Sequence, residues 1–156
     1  MPPPSRPASG PPREAPDDVH ELLRDTFVAM KRRQRVVLRE LRLSHSEWIA
    51  LHVCSQGPAR GQEIAEIGDL TPAGVTDVVD RLEARGLVRR ARDPDDRRAM
   101  RVELTEAGRR LHAETRRTVL ALWGEMTAAL GPEEYRALAE GLRALLRAEQ
   151  ARPPPA

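Results

Sequence analysis

The segment from Arg89 to Thr105 restricts what this chain can fold into more than any other. Two short β-prone arms, about 87–92 and 99–104, flank the tip Asp93-Pro94-Asp95-Asp96-Arg97-Arg98. A Pro-Asp turn between strand-like arms signals a hairpin, because proline presets φ and aspartate can hydrogen-bond its own backbone. Alone, the segment fits two descriptions. One is a solvated charged hairpin with no partner. The other is a wing that sets guanidinium groups against phosphates and into a minor groove. The residues upstream separate the two.

A helix is predicted immediately before the hairpin. Thr71-Pro72 supplies a cap residue and then proline at the first helical position, and the helix stops at Gly86. At about 100° per residue, Val75, Val78, Val79 and Leu82 fall on one face and belong to a core. The opposite face carries Ala73, Asp77, Asp80 and Ala84, flanked by Gly74, Thr76 and Arg81. A helix entering a major groove roughly 12 Å wide needs such a face, small near its N-terminus and able to hydrogen-bond base edges. An ordinary amphipathic helix facing water has a similar pattern. The short helix before it, Gln62 to Ile67, and the Arg-tipped hairpin after it favour the DNA-reading alternative.

The rest of the chain reads as helix. The first helix starts near Asp17, carries Val19, Leu22, Leu23, Phe27 and Met30 at helical spacing, and continues through Lys31-Arg32-Arg33-Gln34-Arg35 to about Leu41. The second opens at Ser44-His45-Ser46-Glu47, a capping box, and stops before Gly57-Pro58. Thr105 caps a fifth helix reaching Leu130, and Gly131-Pro132 starts a sixth that runs to about Glu149. The predicted fold is mainly α with a small β-hairpin wing, a winged helix-turn-helix. Expected boundaries are a Pro-rich disordered tail at 1–16, a dimerisation helix at 17–42, the DNA-binding unit at 43–105, further dimerisation helices at 106–150 and a disordered tail at 151–156.

Composition narrows the function classes. The chain has 156 residues and a formal net charge of only +2, so the placement of charge matters more than its sum. Nearly all the positive charge is arginine, which makes bidentate phosphate and guanine contacts that lysine does not. No apolar run approaches the roughly 18 residues of a membrane span, and Met1 to Pro16 has no signal-like apolar region, so a cytoplasmic protein without membrane partners is expected. The one cysteine, Cys54, excludes an internal disulfide framework. There is no phosphate loop, Gly-x-Ser-x-Gly elbow or His-Glu-x-x-His, and the Asp cluster at 93–96 lacks calcium-site spacing. The expectation is therefore no enzyme, no cofactor and no metal.

From about Leu43 to Leu111 the sequence resembles the multiple antibiotic resistance regulator (MarR) family. The segments that carry the resemblance are Leu43-Ser44-His45-Ser46-Glu47-Trp48, Gln62-Glu63-Ile64-Ala65, the run from Val75 to Val88, Asp93-Pro94-Asp95-Asp96-Arg97-Arg98, and Leu104-Thr105-Glu106-Ala107-Gly108. The resemblance implies a dimeric regulator whose first, fifth and sixth helices form the dimer interface, whose fourth helix reads the major groove, and whose wing reaches the minor groove. It implies that Asp96 braces the wing, that Arg98 enters the minor groove, and that Arg97 lies beside it on a phosphate. With the helix pattern, it makes Thr71, Ala73, Gly74, Thr76, Asp77 and Arg81 the DNA-facing candidates. Many relatives carry a basic residue where Asp77 stands. An aspartate there either accepts from a cytosine N4 amine or holds an arginine in place.

The pattern predicts dimerisation without the resemblance. The sixth helix lines up Tyr135, Leu138, Ala139, Leu142, Leu145 and Leu146, and the fifth lines up Leu111, Val119, Leu122, Trp123, Met126 and Leu130. With the first helix these make three apolar stripes, more than one chain of this size has surface to cover, so a two-fold homodimer is expected. Its operator is then pseudo-palindromic, with half-sites about one turn, roughly 10 bp, apart. The resemblance also implies a repressor released by a small-molecule effector; a constitutive or architectural DNA-binding protein without a ligand is the alternative. Ligand-pocket candidates are His45, Ile49 and His52, which share a stripe with Val53 away from Trp48, Leu51 and Cys54. That stripe either faces the effector crevice or carries two satisfied histidines. Cys54 reads as a buried, inert thiol.

Overall fold

The computed structural model describes residues 16–93, 96 and 99–152. Helices α1 (Pro16–Glu40), α2 (His45–Ser55), α3 (Gly61–Gly68) and α4 (Pro72–Ala84) precede a hairpin of β2 (Val88–Arg92) and β3 (Met100–Leu104). Helices α5 (Glu106–Thr127) and α6 (Pro132–Gln150) follow it. Two strands are predicted from the sequence, but the structure has a third, β1 (Ala59–Arg60), and the sheet order is β1-β3-β2, all antiparallel. A two-residue strand shows no alternation in sequence; it exists because Ala59 and Arg60 pair with Val102 and Arg101 on the open edge of β3.

Local chemistry sets the element ends. Ser44 Oγ accepts from the Glu47 N–H at 3.1 Å while the Glu47 carboxylate accepts from the Ser44 N–H at 2.7 Å, so the capping box is formed. Thr71 Oγ1 accepts from the Gly74 N–H at 3.1 Å, with Pro72 at the head of α4. Gly86, at φ 68°, lets the chain leave α4 in the left-handed region and enter β2 directly. Thr105 caps α5 through the Gly108 N–H at 3.0 Å and donates its hydroxyl to the Gly86 carbonyl at 2.6 Å. One threonine thus joins the hairpin's end, the α4 exit and the α5 start.

The core sits under the helix-turn-helix. Leu51, Ile64, Val75, Val78, Val79 and Leu82 are buried, together with Leu38 from α1 and Val88, Val102 and Leu104 from the sheet. The expected inward face of α4 is therefore the inward face. α1 packs on α5, whose Thr115 and Val119 are buried. Helix α6 has no buried residue, and Tyr135, Leu138, Leu142, Leu145 and Leu146 all stand exposed on it. On α1, Val19, Leu22, Leu23 and Phe27 are exposed as well. Among the described residues no helix is long and apolar enough to cross a membrane.

Candidate nucleic-acid interface

The outer face of α4 is small and polar. Thr71, Ala73, Thr76 and Asp77 are exposed, and Gly74 is half-buried. A Cβ on Gly74 would stand 3.3 Å from Thr71 Oγ1, so the missing side chain keeps the cap close to the helix. Exposed Thr76 donates its hydroxyl back to the Pro72 carbonyl at 3.1 Å, which leaves its oxygen able to accept a further hydrogen bond. Asp77 has no ion-pair partner among the described residues. The sequence leaves open that Asp77 holds an arginine. The nearest candidate along the helix, Arg81, instead points to Glu47 on α2, Nε to Oε1 at 3.5 Å, and Arg85 joins it at 3.7 Å. Buried Glu47 thus serves the α2 cap and ties α2 to α4.

Two ion-pair clusters that the sequence does not reveal hold the hairpin. Asp93, fully buried at the root of the tip, accepts from Arg60 Nε and Nη2 at 2.9 and 2.7 Å and from Arg101 Nε at 2.7 Å. Its N–H donates to the Ala99 carbonyl at 3.0 Å. The hydrogen bond and charge of Asp93 raise the Arg60 pKa above its ordinary value. Arg60 lies in the unforeseen strand β1, which is why a residue ahead of α3 reaches the wing. On the other side Arg90 of β2 reaches α4, pairing with Asp80 at 2.5 Å and with Glu83, so the wing and the helix are braced together. Asp96, the expected brace, accepts from the Ala99 N–H at 2.9 Å through its carbonyl and donates its own N–H to Asp93 Oδ1 at 3.4 Å. Arg97 and Arg98 lie outside the described residues.

Two of the ligand-pocket candidates, His45 and His52, line different openings. His45 lines a small opening of about 70 Å³ with Lys31 and Arg35; burial, then those two charges, lowers its pKa. Ile49 packs against the core. His52 borders a separate cleft of about 430 Å³ beside Pro58 and Glu63. Contrary to the expected stripe, His52 is not turned away from Trp48. The two are four residues apart on one helix face, and their rings stack with centroids 5.7 Å apart. His112 of α5 completes a trio. It lies 5.2 Å from the Trp48 ring at an interplanar angle of 16°, and its Nε2 is 3.2 Å from His52 Nδ1. Burial, with His52 and Arg116 nearby, lowers the His112 pKa. The i, i+4 spacing of Trp48 and His52 was the available signal; the arrival of α5 was not. Cys54 is buried, and burial foremost pushes its thiol up to about 12.

A helix-turn-helix whose second helix presents a small polar face, braced to a β-hairpin that follows it, defines the winged helix-turn-helix transcriptional regulators. Within that class the chain belongs to the MarR family, whose sequence model matches residues 34–99. It is 33% identical to YpoP of Bacillus subtilis (strain 168), an uncharacterized HTH-type transcriptional regulator, over 95 residues that span 60% of this chain and 67% of that protein. A MarR family protein from Bacillus stearothermophilus superposes with a TM-score of 0.77 at 26% identity, over 86% of this chain and 94% of that one. The structure of CouR from Rhodococcus jostii RHA1 bound to p-coumaroyl-CoA superposes at 0.70 and 26% identity, over 83% and 92%.

Proposed function

We propose that this MarR-family transcriptional regulator is a homodimeric repressor that binds a pseudo-palindromic DNA operator and leaves it when a small-molecule effector binds. The observation that carries the dimer is the bare apolar face of α6, with α1 adding its own exposed stripe. Such a surface is stable in water when a second copy covers it. In this reading 17–42 and 106–150 are the dimerising segments, and 43–105 is the DNA-binding unit. Thr71, Ala73, Gly74, Thr76 and Asp77 meet base edges or adjacent phosphates. Arg98 enters the minor groove, and Arg97 contacts the backbone. Asp77, exposed and without an ion-pair partner among the described residues, accepts from a cytosine amine. Arg81 assists by fixing α4 on α2 through Glu47. The protein works in the cytoplasm by binding, without catalysis or a bound cofactor.

Effector release is supported by the fold likeness to a relative captured with a ligand. The effector binds the form that cannot grip DNA more tightly and draws the population there. The test is a binding titration on a duplex carrying an inverted repeat from the chain's own promoter region. Binding is expected to weaken steeply with salt, and Arg98→Ala is expected to weaken it further. Binding unchanged by that substitution rejects the wing role. A screen of phenolics, antibiotics and oxidants in which nothing releases the DNA favours the constitutive alternative.

A further inference from the structure

Of the three β2 side chains on the strand face turned to α4, the protein itself occupies two. Val88, Arg90 and Arg92 share that face because side chains alternate along a strand. Val88 is buried in the core. Arg90 spans Asp80 and Glu83 of α4, and its N–H donates to the Glu83 carboxylate at 3.0 Å. Arg92 is exposed and has no carboxylate within ion-pair distance among the described residues. Its cross-strand neighbour, Met100, brings no charge. β2 leaves the end of α4 and runs back beside it: the Leu87 N–H donates to the Leu82 carbonyl, and Arg90 reaches Glu83 and Asp80. Two residues of strand advance roughly 7 Å and one helical turn about 5.4 Å. Arg92 is thereby carried about one turn nearer the N-terminus of α4 than Arg90, to the level of exposed Thr76 and Asp77.

On duplex DNA the gap between this turn and the hairpin has a defined occupant. A helix in the major groove and a wing in the next minor groove are separated by one sugar-phosphate strand, because that strand is the wall between the grooves. Among the described residues, the charges beside the gap would repel that strand without Arg92. Asp77, Asp80 and Glu83 set three carboxylates there against the guanidinium of Arg90. Arg81 is drawn away to Glu47. The geometry points to Arg92 as the residue that holds the backbone phosphate passing between the recognition helix and the wing. Its planar fork suits phosphate oxygens in shape and charge. Arg90 is the positioning residue behind it: it offsets Asp80 and ties to α4 the strand from which Arg92 projects. The contact adds affinity and sets the protein's register on the duplex without reading sequence. It rests on the reading in which α4 enters the major groove and Arg98 the minor groove.

The test follows binding of the full chain by fluorescence anisotropy over a range of salt concentrations. Two duplexes are used, one carrying an inverted repeat from the chain's own promoter region and a scrambled one of equal length. Arg92→Gln should weaken both by a similar factor, roughly tenfold, and reduce the slope of log affinity against log salt by about 0.9 for each bound protomer. Arg92→Lys keeps the charge and should restore the slope. Arg89→Gln removes the same charge from the opposite face of the same strand, where Arg89 pairs with Glu103, and should leave the slope at its native value. The melting temperature of Arg92→Gln should match that of the native chain, which separates a lost contact from a damaged fold. A slope unchanged by Arg92→Gln, an equal loss with Arg89→Gln, or a loss confined to the inverted-repeat duplex overturns the contact. If Arg98→Ala still lowers affinity in that case, the docking reading survives; if Arg98→Ala also has no effect, both fall.

Discussion

Asp93 shows how much one side chain can hold. Its carboxylate is fully buried, while its partners Arg60 and Arg101 keep 47% and 25% of their side-chain surface. Solvent reaches the arginines, so Asp93→Ala is expected to cost less than a fully buried pair, on the order of 2 kcal/mol in a denaturant titration. Operator affinity should fall further than stability alone explains, because the wing root loses both anchors. The histidines set the acid limit. His45 and His112 have pKa values below the ordinary 6.5, so the folded protein binds fewer protons there than the unfolded chain does. Their contribution to stability is complete above pH 6.5 and is lost as pH falls from there through the folded values. Melting temperatures measured between pH 8 and pH 5 should drop on the acid side, and His112→Gln should flatten that slope. Cys54, with its thiol raised to about 12, should resist thiol reagents at pH 8 until the protein unfolds.

The junction of α4, the hairpin and α5 is the element-scale weak point. A Cβ on Gly108 would lie 1.9 Å from the Leu87 carbonyl oxygen, a backbone atom that cannot turn aside. Gly108→Ala should therefore cost about 2–3 kcal/mol, whereas Thr105→Ala, which removes the cap, should cost about 1 kcal/mol in the same thermal melts. The opposite order would mean that the helix start can slide along the strand. These helix starts were legible in the sequence because Ser44, Thr71 and Thr105 act within a few residues of themselves, and the inward face of α4 because its period is local. Strand β1, the Asp93 cluster and the His52–His112 contact were not legible. Each joins residues far apart in the chain, Arg60 to Asp93 or His52 to His112, and no local pattern encodes which distant side chain arrives. For the candidate interface, the polar face of α4 could be read and the bracing behind it could not.

At the scale of the whole molecule, one chain leaves its last helix unsupported. Leu138 and Leu142 are 46% and 43% exposed, and α6 contributes nothing to the core under the helix-turn-helix. Replacing both with glutamate therefore removes no contact on which the winged unit depends. If a second copy covers this face, the double variant buries charge at that interface and should sediment as a monomer, with the helix-turn-helix still folded. Each half of an inverted repeat is then bound independently, and the gain from linking two heads on one dimer disappears, a loss of about 100-fold or more in operator affinity. Analytical ultracentrifugation and an operator titration on the same sample separate the possibilities. A variant that remains dimeric places the interface elsewhere. A monomer that keeps full operator affinity shows that one winged unit suffices and that the two-fold operator is not needed.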